Sequence, residues 1–267
     1  MRLRCRSAVR TVQRSDAVHD EDRMSHIRQK ATGFPFEGRL VRDSEEPRRQ
    51  SPLAGQAAER PGRRGYDQRM RQWDELEPVW REVFHLMWEA YLTGTIPVGA
   101  VVADRTGEVL SRGRNRIFDA NEDGQLSRSR LAHAEINALV GLPSDRTYES
   151  FTLYTALEPC HLCLSAAIAV RVGTVQYAAA DPYGGAVGKL VPSADHRAHP
   201  VVIEGPLTGA AARLPELLHI AHFLWRLPNG GVMSFYRERR PELVALAATL
   251  PAPDAGASLA DAFSVLP

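Results

Sequence analysis

The fold is decided by residues 153–163, which read Leu153-Tyr154-Thr155-Ala156-Leu157-Glu158-Pro159-Cys160-His161-Leu162-Cys163. The first part of this stretch, with Phe151 and Thr152 before it, is rich in apolar and β-branched residues and predicts a strand. After the proline, a strongly apolar run predicts a helix from Cys160 to Val170. A strand that leads into a helix is a unit of α/β domains.

The same alternation continues on both sides of this stretch. Apolar residues at three- and four-residue steps predict a helix around 80–91, which ends at Thr93-Gly94. The segments 96–103 and 108–111 predict two strands joined as a hairpin. Further elements are predicted as a helix at 133–140, a strand at 174–179, a strand at 201–203 and a late helix at 214–227. The pattern indicates an α/β layered domain, and the hairpin makes its sheet a mixed one.

Composition divides the chain into three parts. Residues 1–69 contain many arginines and prolines and no sustained apolar periodicity, so we interpret them as a disordered basic leader. Residues 70–240 form the predicted domain, and residues 241–267 predict an Ala- and Pro-rich tail, either loose or with one marginal helix. Residues 1–70 carry 16 basic and 10 acidic side chains, about +6, whereas residues 71–267 carry 17 and 22, about −5. An acidic domain is unlike one that is built to grip an RNA backbone.

Two functional classes are disfavoured by simple counts. The chain has no apolar run of the 18 or more residues that a membrane-spanning helix needs, so we expect no membrane partner. It has three cysteines, Cys5, Cys160 and Cys163, and an odd number that includes a C-x-x-C pair argues against a disulfide framework. We therefore expect a cytoplasmic protein in which the pair binds a metal or takes part in redox chemistry.

Residues that could bind a metal lie at the start of two predicted helices, the one at 133–140 and the one from Cys160 to Val170. His133 would supply a nitrogen and the C-x-x-C pair two thiolates within one helical turn, which are the donors of a catalytic zinc site with one position left for water. Glu135, two residues from His133, would reach that water, take its proton and return it to the ring nitrogen and the leaving amine. Zinc lowers the pKa of such a water to about 7.

Simpler interpretations of these residues remain open. A C-x-x-C pair alone is also found in redox proteins and as half of a structural zinc site. A structural site needs four ligands and no neighbouring carboxylate. The nearest spare donor, His161, lies between the two cysteines and points to another face of the helix, so we expect it on the surface or behind the ligands. Glu135 has no use in a structural site and favours the catalytic interpretation.

At this point the sequence resembles the cytidine deaminase-like superfamily, in the branch of the tRNA adenosine, guanine and cytosine or dCMP deaminases. The resemblance runs from about Trp80 to Gly188. Its motifs are Ile96-Pro97-Val98-Gly99-Ala100-Val101, Arg114-Asn115-Arg116, His133-Ala134-Glu135-Ile136-Asn137-Ala138-Leu139 and the stretch 153–163. The resemblance implies a three-layer α/β/α sandwich around a mixed five-stranded sheet, Zn²⁺ as cofactor and hydrolytic deamination as the reaction.

The resemblance also assigns roles to single residues. His133, Cys160 and Cys163 match the zinc ligands of the family, and Glu135 matches its proton shuttle. Asn115 matches an asparagine that hydrogen-bonds the substrate base or ribose, although an asparagine between two arginines is also typical of a turn. The backbone N–H groups of Ala134 and Cys160 would contact the substrate ring or the attacking oxygen.

The substrate is less well defined than the chemistry. The 18-residue step from Asn115 to His133 is longer than in tRNA deaminases, and the segment 181–186, Asp-Pro-Tyr-Gly-Gly-Ala, departs from their pattern. With the acidic domain, this favours a nucleobase, a nucleoside or a similar small amino-heterocycle. The alternatives are a tRNA adenosine deaminase that makes inosine and a non-catalytic, zinc-stabilised binding module.

Two further expectations concern neighbours of the site. Family members often form dimers through helices that flank the site, so we expect a homodimer. Several residues are candidates for the substrate pocket, although packing in the core or on the surface explains them as simply: Phe118, Asp119, Tyr183, Phe223 and Trp225.

Overall fold

A computed structural model describes residues 73–120, 124–253, 256, 258–264 and 266. The predicted basic leader, residues 1–69, lies outside the described residues. The strands are β1 (Gly99–Ala103), β2 (Val109–Arg114), β3 (Thr152–Leu157), β4 (Thr174–Ala179) and β5 (Val202–Glu204). The helices in this part of the chain are α1 (Pro78–Leu92), α2 (Ala134–Val140), α3 (His161–Val170), α4 (Ala194–Ala198), α5 (Gly209–Arg226), α6 (Gly231–Arg239), α7 (Pro241–Ala247) and α8 (Leu259–Ser264).

The five strands form one mixed sheet in the order β2-β1-β3-β4-β5. Strand β1 runs antiparallel to both β2 and β3, whereas β3, β4 and β5 are parallel to one another. All five residues of β1 are buried, because helices cover both faces of the sheet. The predicted hairpin and the predicted mixed sheet are confirmed.

Two glycines show how the helices cover opposite faces. Gly99 faces α1, where an added Cβ would lie 2.2 Å from the carbonyl oxygen of Val83. Gly113 faces α2, where an added Cβ would lie 2.2 Å from the carbonyl oxygen of Ala134. Gly113 pairs with Ala100, the neighbour of Gly99, and neighbouring strand residues point to opposite faces. Since α5 contacts α1 and α3 contacts α2, the domain has three layers.

Four strands have an end on the same side of the sheet, where the chain enters β1 and leaves β2, β3 and β4. Gly99, where β1 begins, pairs with Arg114, where β2 ends, and Leu157 pairs with Ala179, where β3 and β4 end. The loop 115–133, the segment 158–160 and the loop that begins at residue 180 therefore start at one edge. This arrangement brings together segments that are far apart in the sequence, as α/β folds do where they build their sites.

The C-terminal part differs from the prediction. Helix α5 begins at Gly209, five residues before the predicted start, and runs through Pro215. In the described part of residues 241–267 the chain forms two helices, α7 and α8, where the sequence predicts a loose tail or one marginal helix. Phe263 is buried and contacts Trp73 edge to face with 5.6 Å between ring centroids. The sequence does not indicate these two helices clearly, because their few apolar residues lie among many alanines and prolines.

Candidate metal centre and active site

Three donor atoms meet where α2 and α3 begin. His133 and Cys160 are the N-cap residues of these helices, and Cys163 lies in the first turn of α3. The Nδ1 atom of His133 lies 3.6 Å from the Sγ of Cys160 and 3.3 Å from the Sγ of Cys163, and the two sulfurs are 3.6 Å apart. These three residues could hold one metal ion. The structure thus brings together the three predicted ligands.

The distances fit the geometry of zinc. Bonds of about 2.3 Å to sulfur and about 2.0 Å to nitrogen, at tetrahedral angles, place two sulfurs about 3.8 Å apart and sulfur and nitrogen about 3.5 Å apart. Each observed distance is within a few tenths of an ångström of these values. Two thiolates and one imidazole also match the donor preference of Zn²⁺. The donor set therefore suits zinc and leaves one position for another ligand.

The three donors shift one another's pKa values through their hydrogen bonds. The hydrogen bond between the two sulfurs lowers the pKa of the Cys160 thiol to about 3. The same hydrogen bond, together with burial, raises the pKa of Cys163. The pKa of His133 is raised, mainly because its ring hydrogen-bonds the sulfur of Cys160. Without a metal the pair therefore keeps one proton, which a metal would displace on binding.

Glu135 lies in the first turn of α2, and only 4% of it is exposed. Burial raises the pKa of its carboxyl group, and the neighbouring His133 opposes this shift. A buried carboxyl that takes up a proton more readily than usual is suited to proton transfer near neutral pH. Its interaction with the sulfur of Cys163 places it beside the donor set.

Thr95 holds Asn115 in place, a contact that the sequence analysis missed. The buried hydroxyl of Thr95 donates to the Oδ1 of Asn115 at 2.7 Å, and the N–H of Ile117 donates to the same oxygen at 3.1 Å. Because two donors fix Oδ1, the amide nitrogen points the other way. Among the described residues it has no hydrogen-bond partner. It is a free donor in the segment that leads into the loop before His133.

The loop between Asn115 and His133 is anchored at its base, in the part that the structure describes. The N–H of Arg116 donates to the carbonyl of Ala132 at 2.8 Å, so the two ends of the loop lie side by side. Asn137 on α2 donates to the carbonyls of Arg114 and Leu126 and accepts from the N–H of Leu126. Arg116, the neighbour of Asn115, is therefore bonded to the residue that precedes the first metal donor. Ala134, whose N–H was predicted to contact substrate, is the first residue of α2.

Glu158 anchors the loop on the other side of the donor set. Its carboxylate accepts hydrogen bonds from the backbone N–H groups of Asp181, at 3.1 Å, and Val187, at 3.0 Å. The N–H of Ala186 donates to the carbonyl of Pro159. The segment 181–186, whose sequence departs from that of tRNA deaminases, is thus hydrogen-bonded to the residues before Cys160. Only its position next to the cysteine motif could have indicated this role.

The residues predicted to line a pocket divide into two groups. Asp119 is buried and pairs with Arg114 at 2.5 Å and with Arg116 at 3.1 Å, so it stabilises the loop rather than faces a ligand. Phe223 is half-buried between the rings of His219 and His222. The exposed members of the set are Phe118, Tyr183 and Trp225.

Comparison with known proteins agrees with this geometry. Residues 74–179, from just before α1 to the end of β4, match the family described as "Cytidine and deoxycytidylate deaminase zinc-binding region". This range contains Asn115, Glu135 and all three donors. The fold and the donor set define a zinc-binding α/β/α domain. Residues 74–179 belong to the cytidine and deoxycytidylate deaminase zinc-binding family.

Relatives carry two kinds of name. A tRNA(Ile)-lysidine synthase of Deinococcus radiodurans is 39% identical over 147 residues, which are 53% of this chain and 24% of that protein. A tRNA-specific adenosine deaminase of Bacillus subtilis is 38% identical over 102 residues, 37% of this chain and 58% of that protein. The chain thus spans about a quarter of the first relative and just over half of the second.

The solved structure of guanine deaminase from Bacillus subtilis is 28% identical, covers 38% of this chain and 62% of that chain, and has a TM-score of 0.32. None of the helices in the part of the chain that the structure describes is both long and apolar enough to cross a membrane.

Proposed function

We propose that this chain is a zinc-dependent hydrolytic deaminase of a nucleobase, a nucleoside or a similar small amino-heterocycle. The observation that carries the proposal is the buried carboxyl of Glu135 beside the donors His133, Cys160 and Cys163. A purely structural zinc site needs a fourth protein ligand, and the described residues supply three in this cluster. A buried glutamate beside a three-ligand metal site is suited to proton transfer, and a structural site would not need it.

Each residue has a definite task in this reaction. His133, Cys160 and Cys163 would hold the zinc, which supplies a Lewis acid that makes water acidic enough to react at neutral pH. Glu135 takes one proton from the attacking water and delivers it to the ring nitrogen, and then takes the second proton from the added hydroxyl and delivers it to the leaving amine. Water adds to the ring carbon, the C–N bond to the exocyclic amine breaks, and ammonia and the oxo-heterocycle are the products. The free amide nitrogen of Asn115 donates a hydrogen bond that orients the substrate.

Ammonia release from zinc-loaded protein tests this proposal. The substrates are adenine, guanine, cytosine and their nucleosides. We expect turnover of at least one of them, lost by a factor of about 10² to 10⁴ in Glu135→Gln, with zinc content and thermal unfolding unchanged. Glu204→Gln, at an exposed glutamate of β5, is the matched control and should stay active. Full activity of Glu135→Gln would overturn the mechanism, and a fully inactive wild type that binds zinc would favour the non-catalytic module.

A second candidate is deamination of adenosine in tRNA, favoured by the similarity of this chain to several tRNA-specific adenosine deaminases. The arginine-rich residues before the domain would supply the contacts to phosphate. A gel-shift titration with tRNA at 50 and 200 mM salt, followed by a test of inosine formation, distinguishes the two. Salt-dependent binding together with inosine formation would replace the small-molecule proposal.

Assembly and location are proposals of the same kind. Exposed apolar residues lie on the two helices of the donor set, Val140 on α2 at 60% and Leu162 on α3 at 39% exposure. A homodimer that covers them would remove this area from water, and light scattering would detect it. Two cysteines kept as metal donors are typical of a reducing compartment such as the cytoplasm.

A further inference from the structure

We infer that Phe118 is a specificity-determining residue of the proposed deaminase and that its ring packs against the flat ring of the substrate. This inference rests on the proposed function and adds an apolar contact to it. Phe118 lies outside the donor set and outside the motifs that predicted the site.

The position of Phe118 follows from its backbone. The hydroxyl of Thr95, which donates to Asn115, also accepts the N–H of Phe118 at 3.4 Å. One buried side chain therefore fixes both residues. The pairing of Arg116 with Ala132 places this segment directly beside the start of α2. Phe118 and Asn115, three residues apart, are thus held by the same threonine in the segment that pairs with the residue before His133.

The ring of Phe118 is held although it is exposed. Helix α5 supplies the support: the ring of His222 stacks on it with an interplanar angle of 18° and 6.3 Å between centroids. The guanidinium of Arg226, one turn later on α5, lies 3.9 Å from the centroid of the Phe118 ring. Even so, 41% of Phe118 remains exposed. An aromatic side chain that is immobilised before binding loses little conformational entropy when a ligand packs on it.

The ring of Phe118 and the amide of Asn115 together suit a flat heterocyclic ligand. Every nucleobase has a π-face that an aromatic side chain can stack on. The nearby amide nitrogen of Asn115 supplies a hydrogen-bond donor for a ring nitrogen or an oxo group. Together they define a site with one apolar wall and one polar contact, which is the usual composition of a small-molecule pocket.

Binding measurements test the role of Phe118 separately from turnover. Zinc-loaded Glu135→Gln protein, which should bind without reacting, is titrated with adenine, guanine, cytosine and their nucleosides by calorimetry. In this background Phe118→Ala should raise Kd of the preferred ligand about tenfold to a hundredfold, the range for loss of one stacking contact. Phe118→Trp should restore Kd to within threefold, and Phe118→Leu should fall between them and change the order of preference among the bases.

Phe151→Leu is the matched control. Phe151 is a half-buried aromatic residue that directly precedes β3, at the ends of the strands opposite to those that lead into the donor set. Its substitution should leave every Kd unchanged. If wild type deaminates a base and Phe118→Ala binds that base within twofold of its parent, the inference is wrong while the proposed function stands. If wild type neither binds nor deaminates any of these compounds, the proposed function fails, and the role of Phe118 fails with it.

Discussion

Gly185 lies against the carboxylate of Glu158 so closely that an added Cβ would be 2.3 Å from its Cδ atom. No other residue type fits there unless the carboxylate moves. The contact connects the loop after β4 to the residues that lead into the cysteine motif. It therefore gives a direct test of how the fold supports the donor set.

We expect Gly185→Ala to lower the free energy of unfolding by about 1–3 kcal/mol, because the new methyl group overpacks this contact. Urea unfolding of the zinc-loaded protein measures the change. In Glu158→Ala protein the same substitution should cost less, since the crowded carboxylate is gone. The cost will not vanish, because the carbonyl oxygen of Asp181 would still lie 2.7 Å from the new Cβ. Equal costs in both backgrounds would contradict this account.

Metal content gives the second prediction. We expect Cys160→Ala to reduce bound zinc from one ion per chain to a small fraction, because two donors cannot form the site that three form. His161→Ala is the matched control. That histidine lies between the two cysteines but is exposed, and its loss should leave zinc content unchanged.

Both variants are compared by elemental analysis after dialysis. Chelation of the wild-type protein should also lower its melting temperature, since a ligand at about a thousandfold its Kd stabilises the fold by about 4 kcal/mol. A melting temperature that is the same with and without chelator would show that the metal does not support the fold.

The buried His222 gives a prediction on pH. Burial, with the neighbouring His219 and Arg226, lowers the pKa of His222 to about 3. The unfolded chain protonates this group near pH 6.5. Between these values the unfolded state binds more protons, so stability falls as the pH falls from about 6.5 towards 3. Between pH 7.5 and 5.0 this residue should contribute a loss of about 1–2 kcal/mol.

Urea unfolding at the two pH values, in chelator so that zinc release does not interfere, isolates this effect. His222→Leu should lose less stability than wild type on acidification, by about the same amount. Substitution of the exposed His161 by Gln should leave the pH dependence as it is in wild type. An unchanged pH dependence in His222→Leu would mean that this histidine is protonated in the folded protein as well.

The C-terminal helices give the fourth prediction. Phe263 on α8 is 1% exposed and contacts Trp73, while the hydroxyl of Tyr91 on α1 donates to the carbonyl of Pro251. We expect Phe263→Ala to destabilise the protein by about 3 kcal/mol, the cost of removing a large buried ring. Val191→Ala, at a residue 92% exposed, should change the free energy of unfolding by less than about 0.5 kcal/mol. A small effect of Phe263→Ala would show that this segment packs only loosely.

The sequence predicted the elements whose pattern is local. Strand β1 is a continuous apolar run, and within each motif the spacing is short, two residues from His133 to Glu135 and three from Cys160 to Cys163, so these features could be recognised without a structure. Thr95 and Glu158 could not, because their partners lie 20 to 29 residues away in the sequence. The need for glycine at positions 99 and 113 could not be predicted either, because it arises from helices α1 and α2 that pack against these residues. Helices α7 and α8 were missed because tertiary packing, not intrinsic pattern, stabilises them.

The two hydrogen bonds of Thr95 have a consequence for any attempt to redesign this site. A single hydroxyl fixes Asn115 and Phe118, the two residues that we propose to contact the ligand, so a substitution at residue 95 disturbs both together. A substitution at residue 118 leaves the Thr95–Asn115 bond intact. The two proposed ligand contacts can therefore be changed separately by substitution at position 118 but not by substitution at position 95. Engineering of substrate preference should begin at position 118 and keep the threonine.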